Sequence, residues 1–392
     1  MRVPNTNIKY LLLLLSILSL GCDNESKNKN STSSNSHNTK STTNVLSTVI
    51  DSVNQEIING KYGLIDHFML VCNGKVLADF NYKNDYESIA KKYDTTNHQY
   101  NYNHPNWHPY YKNTELHTLQ SVTKSVTSII MGIALDRNRE YGLNTKAMTF
   151  FSNYSIENKD ERLSNITIED LLTMRSGLKW NEGEYSDITD DCIAMEASND
   201  WIQFVLNKSF DSNPGEKFVY NSGVSVLIGK IIRQITGKGI DEYAKERLFE
   251  PLGITDYYWK KTPKGEIDTE GGLYLKAKDL AKIGTLFLDK GKWNNKQIVP
   301  ENWVKSSISA KATNLYPEES VNVGYGYQWW TESYENGTKL YSANGYGGQY
   351  LMVVPDKNLF VVFNGWNIND QPEKSTFNVL VNRILPALEQ KK

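Results

Sequence analysis

Apolar positions along this chain keep a helical period, change to alternation, and change back. From Val45 to Ile58 they fall at Val45, Leu46, Val49, Ile50, Val53, Ile57 and Ile58, which predicts an amphipathic helix. Residues 66–72 and 75–80 then read as two strands. They are joined by Asn73-Gly74, a pair suited to a tight hairpin turn. Asn81 to Glu115 is polar and crowded with Tyr, Asn and His, so a long loop is expected there. From Leu119 to Ala134, small residues alternate with Val126, Ile129, Ile130 and Ile133, the pattern of a helix buried all round.

Further helices are expected over Thr167–Leu178, stopped by Ser176-Gly177, and over Trp201–Leu206. Another runs from Gly223 to Thr236, capped by Asn221 or Ser222 and closed by Gly237. Ile240–Leu248, Lys276–Asp289, Glu301–Ser309 and Phe377–Leu388 follow. Strand periods return over Gly324–Trp330, Leu340–Ala343, Gln349–Val354 and Leu359–Asn364, the last two closed by a turn at Pro355-Asp356-Lys357-Asn358.

Strands therefore lie at both ends of the chain and need partners. The economical arrangement is an α/β (α+β) fold: one antiparallel sheet built from both ends, helices on its faces, and a mainly helical domain inserted between. The expected division is a signal peptide at 1–21, a flexible tether at 22–44, a sheet domain from 45–137 with 259–392, and a helical domain at 138–258. No internal repeat is visible.

The N-terminus changes the setting. Arg2 and Lys9 precede an apolar run from Leu11 to Leu20 that is too short to span a bilayer. Ser19-Leu20-Gly21-Cys22 then resembles a bacterial lipobox, apart from Ser19 where a branched apolar residue is usual. The expectation is a lipid on Cys22 and an extracytoplasmic protein anchored to a bacterial membrane; plain secretion is the alternative. Asp23 to Asn44 is Ser/Asn/Lys/Thr-rich and suits a tether. Cys72 and Cys192 are too few for a disulfide scaffold and are expected as buried free thiols. A formal net charge of −2 gives no reason to expect nucleic acid as a partner.

Candidate chemistry centres on Ser121 and Lys124, three apart and so one turn apart on one helix face. A serine at a helix start faces the positive end of the dipole and free N–H groups that can hold an oxyanion. A lysine buried beside it is expected to have a lowered pKa and to act as a base. The spacing also occurs at Ser26, Ser88 and Ser176, but only Ser121 opens a long apolar helix. The alternative is a capping serine with a surface lysine. His98, His104, His108 and His117 cluster in or beside the polar loop, without Cys or paired carboxylates and without zinc spacing, so neither metal nor cofactor is expected. No histidine follows His117, and no Gly-x-Ser-x-Gly elbow is present. That excludes a Ser…Asp…His hydrolase on Ser121 and leaves the amine, helped by a tyrosine, to move protons.

Three separated segments carry a resemblance: Ser121-Val122-Thr123-Lys124, Leu171–Leu178, and Pro214 to Gly223 with Tyr220-Asn221-Ser222 inside it. Together they resemble the penicilloyl serine hydrolases, in the class C β-lactamase-like branch that holds esterases and 6-aminohexanoate-dimer hydrolases. The resemblance implies Ser121 as nucleophile, Lys124 as base or proton relay, and Tyr220 as donor to the leaving group. It places Gly345-Tyr346-Gly347 on a facing strand, with the N–H groups of Ser121 and Tyr346 as oxyanion hole and Gly345 and Gly347 at the substrate. Tyr220 read alone is an ordinary core tyrosine, Ser222 a helix cap or a site residue, Trp180 a cleft wall or a packing residue, and the glycines a plain hairpin. The Lys-Thr-Gly of true β-lactamases is missing from the facing strand, and the tyrosine motif ends in Ser222 rather than Asn. Both departures favour small ester or amide substrates over β-lactams. A weak β-lactamase or DD-peptidase, or a catalytically weak cell-wall or glycan-binding lipoprotein, are the alternatives.

Overall fold

The computed structural model describes residues 35–92, 108–183, 185, 189–369 and 371–389, with the backbone alone for 35–44. The expected signal peptide, Cys22, His98 and His104 lie outside these residues.

The chain opens with α1 (Asn35–Ile58), which begins inside the stretch expected as tether. It continues through β1 (Ile65–Cys72), β2 (Lys75–Asn81), α2 (Tyr86–Ala90), β3 (His117–Thr118) and α3 (Val122–Arg137). A helical stretch follows: α4 (Ile168–Leu172), α5 (Asp191–Ala197), α6 (Trp201–Leu206), α7 (Ser222–Thr236) and α8 (Ile240–Ala244). Then come β4 (Tyr258–Trp259), β5 (Leu273–Leu275), α9 (Ala277–Leu288), β6 (Lys292–Trp293), β7 (Lys296–Gln297) and α10 (Glu301–Ser307). The chain closes with β8 (Asn322–Tyr325), β9 (Trp330–Ser333), β10 (Lys339–Gly345), β11 (Gln349–Val354), β12 (Leu359–Gly365), α11 (Phe377–Val379) and α12 (Leu385–Glu389).

Seven strands form one antiparallel sheet in the order β2-β1-β12-β11-β10-β9-β8. It is built from both chain ends, as the fold class required. β1 lies against β12, Leu70 opposite Val361, so the N-terminal hairpin sits beside the C-terminal strands. Alternation divides the side chains between two cores. Phe68, Leu70, Val361 and Phe363 pack under α1 and the C-terminal helices. Met69, Val71, Leu351, Val353 and Phe360 join Val126 and Ile130 of α3 and Leu227 and Ile231 of α7 in one continuous apolar cluster. Asn73 (φ 51°) and Gly74 (φ 70°) make the first hairpin turn.

Two boundaries differ from expectation. The helix expected to reach Leu178 ends at Thr173, because Met174 turns left-handed at φ 57°. The strand expected over Gly324–Trp330 is two strands around a corner at Gln328 (φ 61°). That glutamine ties three helices together. Its carbonyl accepts from Ser125 Oγ (2.6 Å), its Oε1 accepts from Ser225 Oγ (2.8 Å), and its N–H donates to the Leu172 carbonyl (3.0 Å).

Candidate active site

The site begins at the mouth of α3. Gln120 is held left-handed at φ 47°, a strained conformation for a residue with a Cβ, and Ser121 follows at the first turn. The Ser121 side chain makes no capping bond. Lys124 is not on the surface but 1% exposed, with every residue from Val122 to Leu135 buried. The capping-serine alternative therefore fails. Lys124 Nζ donates to Ser121 Oγ at 2.8 Å, to the Glu270 carbonyl at 2.8 Å and to Glu270 Oε2 at 3.0 Å.

One expectation is reversed here. Burial does pull the Lys124 ammonium down, but the opposing charges of Tyr220, Glu270 and Glu182 outweigh it, and the pKa is raised. Lys124 rests as a cation, held between Tyr220 and the buried Glu270 carboxylate.

Tyr220 ends an extended segment anchored by the Val219 N–H on the Met174 carbonyl (2.9 Å) and is followed at once by α7. Asn221 is the cap of that helix, accepting from the Val224 N–H at 3.1 Å, and Gly237 (φ 70°) closes it. The Tyr220 ring stands 5.5 Å from Lys124 Nζ and stacks with Trp330 at 5.8 Å. It is half-buried at the site, not in the core. Burial pushes its phenol up to about 12, against the downward pull of Lys124 and of the Ser121 hydroxyl beside it.

Ser222, freed of capping, turns to a carboxylate. Glu182 accepts from the Ser222 N–H (2.7 Å) and Oγ (2.6 Å), from Trp180 Nε1 (2.7 Å) and from the Tyr185 hydroxyl (2.9 Å). Burial raises its pKa in spite of Lys124 and these bonds. Trp180 is buried, edge-on to Phe204, and orients Glu182.

The facing strand arrives at Gly345, the last residue of β10. A Cβ there would lie 2.4 Å from the Leu119 carbonyl oxygen and 3.1 Å from Gln120 Cβ. Only glycine lets the strand come this close to the Ser121 segment, and the Tyr346 peptide follows directly. Gly347 (φ 82°) and Gly348 (φ 98°) carry the turn into β11. The Tyr346 ring lies 4.9 Å from that of Tyr185, so the turn meets the loop carrying Glu182.

Neither described histidine of the polar loop reaches this site. His117 Nε2 bonds the buried Asp66 at 2.9 Å, and His108 Nδ1 lies 3.0 Å from Tyr110. Cys72 and Cys192 are free and buried. Behind Lys124, Cys192, Glu196 and Glu270 bring potential ligand atoms within 4.8 Å of one another, but Glu270 already carries the Lys124 ammonium.

The Beta-lactamase family profile matches residues 91–379, most of the chain. The chain belongs to the Beta-lactamase family. The matched stretch holds Ser121, Lys124, Tyr220 and the Gly345–Gly348 turn. A curated relative, the 6-aminohexanoate-dimer hydrolase of Paenarthrobacter ureafaciens, is 24% identical over 267 residues, covering 63% of this chain and 65% of the relative. The chain thus spans less than two thirds of that relative's length. Among solved structures, EstCE1, a hydrolase with promiscuous acyltransferase activity, superposes with a TM-score of 0.65 at 14% identity over 88% of this chain and 99% of its own. The octameric penicillin-binding protein homologue from Pyrococcus abyssi gives 0.62 at 20% identity, over 88% and 78%. At these identities the two structures speak for the Beta-lactamase fold alone.

Sequence reasoning did not find Glu182 or Glu270. Glu182 lies in a polar loop with no periodic signal. Glu270 did leave a trace: an acid set against Gly271-Gly272 and the apolar Leu273-Tyr274-Leu275 is out of place unless paired.

Proposed function

We propose that this Beta-lactamase family member is an extracytoplasmic serine hydrolase that cleaves small esters or amides through an acyl-enzyme on Ser121. The observation that carries the reading is Lys124 Nζ at 2.8 Å from Ser121 Oγ, with the Tyr220 ring 5.5 Å from the same ammonium. Ser121 Oγ attacks the substrate carbonyl carbon as the ionised form of the Tyr220 phenol, held beside the Lys124 ammonium, takes its proton. The N–H groups of Ser121 and Tyr346 receive the oxyanion; losing one such donor costs ~10²–10³ in rate. Tyr220 returns the proton to the leaving alcohol or amine. Water then enters, gives one proton to the Tyr220 oxygen and adds to the acyl carbon; that proton passes to Ser121 Oγ as the acyl bond breaks and the acid leaves.

Substrate choice follows from charge. The turn facing Ser121 is Asn344-Gly345-Tyr346-Gly347 and offers no cation, while the donors of Lys124 are committed. A carboxylate-bearing β-lactam or peptide therefore lacks its usual anchor. The likeness to a 6-aminohexanoate-dimer hydrolase supports an amide substrate. Trp330, partly exposed and stacked on Tyr220, favours an apolar or aromatic group beside the scissile bond.

A fluorophosphonate probe should label wild-type protein at Ser121 and fail on Ser121→Ala. Turnover of p-nitrophenyl esters and short amides should exceed that of nitrocefin; the reverse order would favour a β-lactamase. The cell-envelope location rests on Cys22. Cys22→Ala should move the protein from the membrane to the soluble fraction, and a chain unmoved by that change is not anchored there. Among the described residues no helix is long and apolar enough to cross a membrane.

A further inference from the structure

Lys124 and Glu270 form a buried ion pair, 1% and 7% exposed at their side chains. Glu270 takes two of the three close contacts of the ammonium, one through its carbonyl and one through its carboxylate. Removing the Lys124 proton would leave that carboxylate buried without a counter-charge, which is strongly destabilising. The surroundings reinforce this. Lys124 faces Ser121 on its own helix, Tyr220 before α7, Glu182 from its loop and Cys192 from α5. Glu270 faces Glu196 and Cys192 of α5 and Asp268 on its own segment, with Lys260 near Glu196 and Asp268. Like charges this close do not both ionise, so Glu196 holds its proton against Glu270. Of the two carboxyls grouped with Cys192, only Glu270 touches the ammonium.

We propose that Glu270 is a positioning residue of the Ser121 site: it holds Lys124 as a fixed ammonium beside Ser121, while Glu196 behind it stays a neutral acid. This rests on the hydrolase reading above. It makes Lys124 a stationary positive charge, and it makes the Tyr220 oxygen the atom that takes the Ser121 proton and hands it on. Two carboxyls in one buried cluster thereby have unlike roles, although a merely structural account would treat them alike.

The test compares the rate of fluorophosphonate labelling of Ser121 from pH about 6 to about 10 in the full chain, in Glu270→Gln and in Glu196→Gln. Wild type should rise with pH without a falling limb. Glu196→Gln should follow it within about threefold, since it replaces a group that is already neutral. Glu270→Gln should lose at least about tenfold at the alkaline end and turn downward there, as the unpaired ammonium gives up its proton. The proposal is overturned if Glu270→Gln keeps the wild-type profile, loses no more than Glu196→Gln, or reacts faster at every pH. Labelling absent from wild type would sink the hydrolase reading together with this one; normal labelling with the two glutamines alike would sink this one alone. A measurement on wild type guards against a misfolded variant. The Lys124 ¹³Cε resonance, assigned by its loss in Lys124→Arg, should keep its ammonium position to pH about 10, and titration below about 9 would refute the proposal.

Discussion

Gly345→Ala tests whether the close approach of β10 to Ser121 makes the site. The added methyl would stand 2.4 Å from the Leu119 carbonyl oxygen, 2.9 Å from Gln349 Cβ and 3.1 Å from Gln120 Cβ. Leu119 is main chain at the base of α3, so it cannot swing aside as a side-chain tip would. Restoring ordinary contact from 2.4 Å requires about 1 Å of separation between the strand and the Ser121 segment. Overpacking of this kind costs about 1–3 kcal/mol of stability. The Tyr346 N–H, one residue along, moves with the strand. Displacing a reacting or stabilising group by about 1 Å costs about 10²-fold, and full loss of an oxyanion donor ~10²–10³. The expected result is a folded protein with a lowered melting temperature and fluorophosphonate labelling of Ser121 slowed about 10²–10³-fold. Gly74→Ala is the control. It has nothing within 4 Å and a φ of 70°, so it should cost about 1–2 kcal/mol through backbone strain alone and leave labelling unchanged. A Gly345→Ala protein that melts lower yet labels at the wild-type rate would refute the argument, because the strand would have moved without taking an essential donor with it.

Tyr220→Phe keeps the ring beside Trp330 and removes only the hydroxyl; ester turnover should fall by about 10²–10⁴ with little change in melting. Wild-type kcat/KM should climb with pH across the neutral range, because the ionised phenol is the scarce form of a group pushed up to about 12; a flat profile would remove Tyr220 as proton acceptor. Glu182→Gln sets an amide donor among four donors that share one carboxylate, and the urea midpoint should report a loss of about 1–3 kcal/mol. Asp268, buried beside Glu270, is raised from 3.8 to about 7, so the folded state holds its proton more tightly than the unfolded chain. This group's contribution to stability therefore declines as pH rises from about 4 to about 7; Asp268→Asn should remove that slope, and an unchanged slope would show that another group titrates.

What the sequence exposed and what it hid divide along physical lines. Elements whose residues carry their own instructions were legible. Asn73-Gly74 states a turn, Asn221 and Gly237 bracket α7, and the unbroken apolar runs of β11 and β12 announce strands buried on both faces. The Ser121–Lys124 pair was legible too, since spacing on a helix is a local fact, whereas Tyr220 stood out only through the family resemblance. Hidden features were those created by residues far apart in sequence. Nothing around Lys124 foretold Glu270, 146 positions away, yet Tyr220 and that carboxylate together reverse the charge state expected of a buried amine. Gln328 was invisible in the same way: its carbonyl, side chain and N–H are each assigned to a different helix, so no window around it carries the pattern. The boundary errors share this origin. Met174 and Gln328 adopt left-handed φ angles that neither side chain prefers, held there by bonds to other elements. Gln120 does so one residue before Ser121, and a strained backbone beside a reactive group is tolerated only where packing overdetermines it. Local pattern therefore located the Ser121–Lys124 pair, and distant contacts set its charge, orientation and strain.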